Sequence, residues 1–273
     1  MRANKNLMPY DVLPWKKLIK AERTLDAEGV FYNLINWEEV IPNVPDIIGW
    51  NVYVSYNLND WTKLTPTPIT VAFYRHRITL QKGYLYYKVT YISSSRGEEP
   101  LGDVQAVSEL DEDIDGFDGR LKWITLEQLR RLNILLAQKG EPCYLLIRKR
   151  YGQTCPHCHD NWAGTSTQED CPICFGTGFE GGYDIFEGRF HLAAGDERIA
   201  ETEMGWNITM TPRGWITDYP IIREGCILVR KGDFQRYWLQ SISRQVQQSK
   251  LLLQIFNMAL IEETHPIYRF VLP

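Results

Sequence analysis

Two pairs of cysteines in the middle of the chain are the residues whose types and spacing are best suited to chemistry. Each pair has Cys-Pro-x-Cys spacing, and the four residues are Cys155, Cys158, Cys171 and Cys174. Two such pairs can surround one Zn²⁺ ion with a tetrahedron of thiolates. Because four protein ligands leave no open coordination position, this spacing predicts a structural zinc site and not a catalytic one.

The other cysteines and the nearby histidines define the alternatives to this site. His157 or His159 could replace one sulfur in a Cys₃His site, and redox-active thiols are a further alternative. Cys143 and Cys226 lie in apolar runs and are predicted to be buried small side chains. A disulfide framework is therefore not expected, which indicates a reducing environment during folding.

Composition limits the class of protein. The 273 residues are enough for two or three domains, and a net charge of −4 provides no bulk positive field for nucleic acid. The 9 Trp, 15 Tyr and 10 Phe favour β structure and interfaces. The N-terminal region lacks the apolar core of a signal peptide, and no run reaches the length of a membrane span. We expect a soluble protein that is made in the cytoplasm.

The first part of the chain changes character near residue 28. Residues 1–27 are predicted to be an N-terminal arm, and Lys16 to Leu25 has weak helical spacing. Residues 28–107 contain short runs of β-branched and aromatic residues between turn residues, and Trp50, Val52, Val54 and Tyr56 alternate on one face of one of them. This pattern predicts a β-sandwich.

The same region resembles a fibronectin type III domain. The resemblance rests on a strand ending in Trp37, on Trp50-x-Val-Tyr-x-Ser, and on Gly83-Tyr-Leu-Tyr-Tyr-Lys-Val-Thr-Tyr-Ile-Ser followed by Gly97-Glu-Glu-Pro-Leu-Gly. It implies a tryptophan in the core and a tyrosine corner closed by Tyr87 or Tyr86. It also implies a binding or spacer module, and another type of β-sandwich is the alternative.

An acidic stretch separates this region from the cysteines. Residues 108–122 are predicted to be a solvated linker. Asp111, Asp113, Asp115 and Asp118 raise the alternative of calcium, but the glycine and the final glutamate of an EF-hand loop are out of place.

Residues 123–185 are predicted to form a helix and the zinc ribbon. Thr125 is suited to cap the helix, with Gln128 three residues on, and Gly140 to end it. A stripe of leucines marks its buried face: Leu126, Leu129, Leu132, Leu135 and Leu136. Residues 142–150 are predicted to be a strand that leads into the first cysteine pair.

The remaining residues, 186–273, are predicted to be a second all-β unit, a small barrel or sandwich. Short apolar strands recur, and Lys231-Gly-Asp-Phe is predicted to be a hairpin turn between two of them. The fold class is therefore mainly β: a sandwich, a helix with a Cys₄ zinc ribbon, and a C-terminal barrel.

From Leu126 onward, the order of features resembles a family of tailed-bacteriophage virion proteins. The matching segments are the leucine-rich helix, the Arg-Lys-Arg150 strand, Cys155-Pro-x-Cys … Cys171-Pro-x-Cys-Phe-Gly-Thr-Gly-Phe-x-Gly-Gly-Tyr183, Gly225-Cys-Ile-Leu-Val-Arg-Lys-Gly-Asp-Phe-Gln-Arg-Tyr237, and Thr264-His-Pro-Ile-Tyr268. The segment from Gly225 to Tyr237 is similar to head-closure, or head–tail connector, barrels. The fibronectin-like region is a departure from a minimal closure protein.

This resemblance implies a structural component of the virion neck. The chain would form a ring with copies of itself, with portal or adaptor proteins above it and tail-tube, terminator or collar proteins below it. It would enclose or lie near packaged DNA without sequence-specific contact, and no membrane is involved. Whether it is the stopper, a collar protein or a tail or baseplate protein stays open.

Other functions have less support from the residues. The basic residues Arg130, Arg131, Arg148, Lys149 and Arg150 could meet phosphate or an acidic partner, but a solvated face is the favoured interpretation. A zinc-ribbon protein that binds nucleic acid would rely on Arg148 to Arg150. No P-loop, Gly-x-Ser-x-Gly or dinucleotide motif is present. The histidines outside the cysteine region, such as His76 and His191, have no evident catalytic partners, so no catalytic or cofactor-binding residue is predicted.

Overall fold

The computed structural model describes residues 19–38, 44, 46–78, 84–108, 119–160, 165–168, 170–202, 205–247 and 250–273. Within these residues the protein is mainly β, as the sequence predicts: sixteen strands accompany one α-helix and one short 3₁₀-helix.

The first eight strands form two antiparallel sheets that pack face to face. In chain order they are β1 (Ile19–Leu25), β2 (Phe31–Trp37), β3 (Ile47–Ser55), β4 (Thr62–Lys63), β5 (Phe73–Arg77), β6 (Tyr84–Ser93), β7 (Gly97–Pro100) and β8 (Gln105–Ser108). One sheet has the order β1-β2-β5. The other has the order β4-β3-β6-β7, and β8 also pairs with β6.

The core between the two sheets is built from the alternating positions of the strands. Trp50, Val52 and Val54 on β3 are all buried, as their spacing predicts, whereas Tyr56 comes after the last residue of the strand and is exposed. The Trp37 ring lies 6.1 Å from the Trp50 ring and brings β2 of the facing sheet into the same cluster. The sandwich therefore has a continuous aromatic and aliphatic core.

The hydroxyl of Tyr87 links the two sheets. The amide nitrogen Nδ2 of Asn33 donates to it over 2.8 Å, and it lies 2.9 Å from Nδ1 of His76. Burial lowers the pKa of His76 and so favours the neutral ring, whose Nδ1 shares a hydrogen bond with the tyrosine hydroxyl. In a tyrosine corner the hydroxyl would bond to backbone upstream of the tyrosine. The Tyr87 hydroxyl instead bridges to side chains of the opposite sheet. The other candidate, Tyr86, stacks beside Tyr84.

The prediction that residues 1–27 are an arm is wrong for residues 19–25. They form β1, which pairs with β2 from Ile19 opposite Trp37 to Leu25 opposite Phe31. Strand pairing overrides the weak helical spacing of this stretch, because the strand buries both Ile19 and Leu25. Residues 1–18 lie outside the described part of the chain.

The helix α1 (Gly119–Lys139) begins earlier than predicted, so Thr125 is a buried position within it and not its cap. The last residues of the predicted 108–122 linker therefore belong to the helix, whereas residues 109–118 lie outside the described part of the chain. The first described side chain of the helix, Trp123, packs edge-on against Phe31 of the sandwich at 6.3 Å.

The end and the buried face of α1 follow the prediction. Gly140 comes directly after the helix, and its N–H donates to the carbonyl oxygen of Leu136 over 2.8 Å. Leu126, Leu129 and Leu136 are buried, but Leu135 is exposed. Among the described residues, no helix has both the length and the apolar character needed to cross a membrane.

The remaining strands build a closed barrel and a small accessory hairpin. In chain order they are β9 (Glu141–Arg148), β10 (His159–Asp160), β11 (Thr165–Ser166), β12 (Tyr183–Thr202), β13 (Gly205–Ile216), β14 (Ile227–Arg230), β15 (Arg236–Gln247) and β16 (Lys250–Leu260). The barrel order is β12-β13-β16-β15-β14-β9, and β9 closes it by pairing with both β14 and β12. The strands β10 and β11 pair only with each other.

The barrel extends beyond the predicted 186–273 unit. The strand predicted at residues 142–150 is present as β9, but it belongs to the barrel and not to a unit made of the helix and the zinc ribbon, and β12 begins at Tyr183. The run from Cys143 to Ile147 is buried throughout, because its alternate side chains face either the barrel interior or an outer cluster that includes Ile267. Both neighbours of β9 are distant in sequence, so local spacing could not assign it to the barrel.

Side chains fill the barrel interior. The rings of Phe190 and Phe256 lie 6.3 Å apart, and both are fully buried. A Cβ atom at Gly214 would lie 2.5 Å from the ring of Phe256, so glycine is required at this crossing. The barrel is therefore a packed core and not a channel.

The barrel core extends into the sandwich, which also has the separate core described above. Val71 and Phe73, from the sandwich, belong to the cluster that fills the barrel. The Phe73 ring lies 5.7 Å from both Phe186 and Tyr219. The two units are thus packed together and not held apart as a spacer and its neighbour would be.

Candidate metal centre

The four cysteines lie in the segment that connects β9 to β12. Arg148 and Tyr183 are paired residues of these two strands, so the segment is a long hairpin loop on the barrel, which we call the metal-binding segment (residues 149–182). Its two ends are held together by backbone hydrogen bonds: the Cys155 N–H donates to the Gly178 carbonyl oxygen over 2.9 Å, and the Glu180 N–H to the Gln153 carbonyl oxygen over 2.8 Å.

Tight turns bring the two sulfurs of each pair together. The N–H of Phe175 donates to the carbonyl oxygen of Cys171 over 2.9 Å, and the N–H of His159 to that of Cys155 over 3.3 Å. The turn after the second pair uses the left-handed backbone region at Phe175, with φ of +50°, and at Gly176. A glycine meets that requirement without strain, whereas the phenylalanine must be held in place by its surroundings.

The sulfur atoms of Cys155, Cys158, Cys171 and Cys174 all lie within 4.8 Å of one another. The distances from Cys158 are 3.6 Å to Cys155 and 3.2 Å to Cys174, and Cys155 lies 3.8 Å from Cys171. Zn–S bonds of about 2.3 Å in a tetrahedron place sulfurs about 3.8 Å apart. The four predicted residues are therefore brought together at separations that suit a tetrahedral metal site.

All four side chains are buried, so ionising them without a cation is unfavourable. Burial acts to raise the pKa of Cys174, but hydrogen bonds from Cys158 and from the backbone N–H of Gly178 outweigh it and lower that pKa to about 7. For Cys158, burial is the largest cause, and it raises the pKa to about 12. A bound cation would favour the thiolate form of all four.

The two alternative ligands lie outside the group of four. Nδ1 of His157 is 4.0 Å from the Cys171 sulfur, so it borders the site without replacing a cysteine. Nδ1 of His159 lies 3.1 Å from the carbonyl oxygen of Gly178, and its ring packs against Phe179. The donor set of the centre is four sulfurs.

Ser166 borders the centre and was not singled out by the sequence analysis. Its hydroxyl oxygen lies 3.1 Å from the Cys158 sulfur and 3.8 Å from the Cys174 sulfur. It also lies 2.6 Å from the carbonyl oxygen of Gln168, to which it donates. Serines are common between such cysteine pairs and have no fixed spacing, so no signal in the sequence marks this position.

The basic residues after β9 fasten the metal-binding segment to the barrel. Arg148 donates from Nη2 to the carbonyl oxygen of Gly176 over 3.0 Å, and Lys149 from Nζ to that of Glu180 over 3.1 Å. Two of the three residues on which nucleic-acid binding would depend therefore have structural partners. The same contacts keep the cysteine turns close to the barrel wall.

The other residues considered for chemistry lie apart from the centre. His76 bonds with Tyr87 inside the sandwich, His191 stacks on Trp215 in the barrel, and the side chain of His265 accepts from the Ile267 N–H at the start of the 3₁₀-helix. These partners give each histidine a structural role.

Cys143 and Cys226 are buried and unpaired, as predicted. The four aspartates that raised the alternative of calcium, at positions 111, 113, 115 and 118, lie outside the described residues.

The described residues thus contain a compact Cys₄ cluster, on a hairpin loop of a six-stranded barrel, that could bind a metal ion. Comparison of the chain with protein-family models and with curated proteins finds no match.

Proposed function

We propose that the Cys₄ cluster binds one Zn²⁺ ion as a closed, structural zinc-ribbon site. Four soft thiolates at tetrahedral separations support zinc, and four protein ligands, which leave no open coordination position for a substrate, support a structural role. Binding of such an ion contributes on the order of ten kcal/mol to folding of the segment that holds it. Metal analysis of freshly purified, reduced protein should find about one zinc per chain, and a ratio near zero would reject the site.

The sandwich is proposed to be a fibronectin type III-like domain. Support comes from its division into β1-β2-β5 and β4-β3-β6-β7 sheets and from the buried Trp50 at its centre. Because this sandwich packs on the barrel through Phe73, it adds a fixed surface to the particle and does not move as a tethered module.

For the whole chain, the proposed function is that of a structural virion protein in the neck of a tailed bacteriophage, where a ring of copies joins portal to tail. The observation that carries this proposal concerns the segment from Gly225 to Tyr237, on which the resemblance to head-closure barrels rests. That segment forms β14, its turn and the start of β15 inside a closed barrel.

The mechanical properties of the chain suit this role. A subunit of a neck ring must keep its shape beside pressurised DNA, and the shared core, the closed barrel and the metal centre all oppose deformation. Large apolar side chains nevertheless remain exposed, and they would serve as contacts with neighbouring subunits: Trp123, Phe234, Val246 and Leu260.

Electron microscopy of assembled particles tests the proposed location. A small tag on this chain should produce a ring of extra density between capsid and tail. Extra density at the tail tip or baseplate would reject the neck location and favour the tail alternative. Particles that contain no tagged chain would reject a virion role. Isolated chain is not suited to this test, because ring formation can require the neighbouring proteins.

Nucleic-acid binding by the zinc ribbon is the second candidate, and the geometry gives it less support. Arg148 and Lys149 are bonded to carbonyl oxygens of the metal-binding segment. A mobility-shift assay with the full zinc-loaded chain would favour this candidate if duplex DNA shifted in a salt-dependent manner. If duplex DNA does not shift even at low salt, nucleic-acid binding is rejected and the structural role is the remaining candidate.

A further inference from the structure

The C-terminal segment (residues 261–273) packs on the barrel through a hydrophobic cluster around Ile267, through a hydrogen bond from the Tyr144 hydroxyl to the carbonyl oxygen of Pro273, and through one buried guanidinium. Arg236, at the start of β15, is 5 % exposed. Its Nη1 donates to the carbonyl oxygen of Ile267, and its Nη2 donates to those of Tyr268 over 3.4 Å and Phe270 over 3.1 Å. These three carbonyl oxygens follow one another closely around the 3₁₀-helix, so the contact depends on the folded shape of the segment.

The same segment touches the turn that carries the second cysteine pair. The Phe270 ring lies 5.3 Å from the Phe175 ring in an edge-to-face arrangement, and 5.9 Å from the Tyr183 ring. Phe175 directly follows Cys174, and its ring belongs to the cluster in which Ile267 is buried. One aromatic contact therefore connects the metal centre to the end of the chain.

The position of Phe175 depends on the cysteines. Its φ of +50° is unfavourable for a bulky residue, and its N–H donates to the carbonyl oxygen of Cys171. Close packing fixes the turn from the other side, because a Cβ atom at Gly182 would lie 2.7 Å from the Cys174 carbonyl oxygen and 3.2 Å from the Phe175 ring. Ligation of Cys171 and Cys174 by one ion would hold both ends of this turn.

We propose that the C-terminal segment responds to the metal centre. Metal bound by the four cysteines holds Phe175 against Phe270 and so favours the docked segment, and loss of the metal removes this contact and weakens docking on the barrel. This inference rests on the proposed metal site. By linkage, docking of the segment raises the affinity of the centre for metal by the same factor.

Hydrogen exchange of the full chain, followed by mass spectrometry, tests the coupling. Docked N–H groups at Ile267, Tyr268 and Phe270 are hydrogen-bonded, so their exchange reports release of the segment. An edge-to-face aromatic pair is worth about a two- to tenfold change in such an equilibrium. Chelation should therefore speed exchange of the C-terminal peptide about two- to tenfold or more, and leave the peptide 84–93 of the sandwich unchanged.

Two substitutions test the contact while the metal stays bound. Phe175→Ala should speed exchange of the C-terminal peptide by the same factor in zinc-loaded protein. Phe179→Ala is the matched control, because its ring packs on His159 in the same metal-binding segment. Phe270→Ala should lower the affinity for zinc about two- to tenfold in competition with a chelator.

The outcomes separate the coupling from the metal site itself. If chelation opens peptides 155–178 but leaves the C-terminal peptide as protected as before, the coupling is refuted and the metal site stands. Equal effects of Phe175→Ala and Phe179→Ala would also refute it. Protein that contains no metal and takes up none overturns both proposals.

Discussion

Asp218, which follows β13, is predicted to make the free energy of unfolding depend on pH. This side chain is 2 % exposed and lies where the barrel meets the sandwich. Burial raises the pKa of Asp218 to about 6, although the positive charge of Arg75 opposes the rise, and Glu22 adds to it. The ordinary value is 3.8, and each unit of difference is about 1.36 kcal/mol. Ionising this carboxyl group therefore costs the folded state about 3 kcal/mol.

The sign follows from proton binding. Between pH 4 and 6 the folded state binds more protons at Asp218 than the unfolded state does, so stability falls as the pH rises through this window. Above this pH window, the folded state bears the full free-energy cost of ionising Asp218. Asp218→Asn stays neutral throughout, so its advantage over the natural chain should grow by about 1.4 kcal/mol between pH 5 and pH 8.

Urea unfolding followed by tryptophan fluorescence at several pH values from 5 to 8 measures this difference. Comparing the two chains at each pH cancels the contribution of the metal centre. Asp103→Asn, at an exposed position, controls for the loss of one negative charge. A difference between Asp218→Asn and the natural chain that stays constant with pH would refute the reasoning. If the free energy of unfolding of Asp218→Asn falls relative to that of the natural chain as the pH rises, Arg75 stabilises the charged carboxylate.

Three further substitutions test the metal centre, the barrel and the sandwich. Cys174→Ser should abolish stoichiometric zinc and lower the melting temperature, whereas Cys226→Ser keeps the metal; equal metal content in both would contradict the site. Gly214→Ala places a methyl group against a buried ring and should cost about 1–3 kcal/mol in urea unfolding, while Gly232→Ala, in open space, should change little. Tyr87→Phe leaves the buried amide on β2 without its acceptor and should cost about 1–3 kcal/mol, and a neutral result would mean that the bridge between sheets is unimportant.

The features that sequence reasoning predicted are those set by local spacing. Two residues between the cysteines of each pair suffice to aim both sulfurs at one point, so Cys155 and Cys158 converge as predicted. Alternation along β3 predicts the burial of Trp50 and Val52, because side chains on a strand point to opposite faces. Gly140 ends the helix for an equally local reason.

The features that it missed depend on partners distant in the chain. The stretch from Ile19 to Leu25 becomes a strand because β2 is available to pair with it. Strand β9 joins the barrel because β12 and β14 flank it. The helix, which starts early, contacts the sandwich where Trp123 meets Phe31. The hydroxyl of Ser166 reaches the sulfurs only because its loop returns across the cluster. None of these contacts follows from spacing within a single segment.

The placement of the metal-binding segment between two paired strands bears on how the chain folds. Arg148 and Tyr183 must meet across a long loop, and closing a long loop slows strand pairing. Binding of four thiolates to one ion would speed this pairing, because it would bring the end of β9 close to the start of β12 before the rest of the barrel has folded. The ion would then act as a template for the first hairpin, and refolding in its presence should be faster as well as more complete.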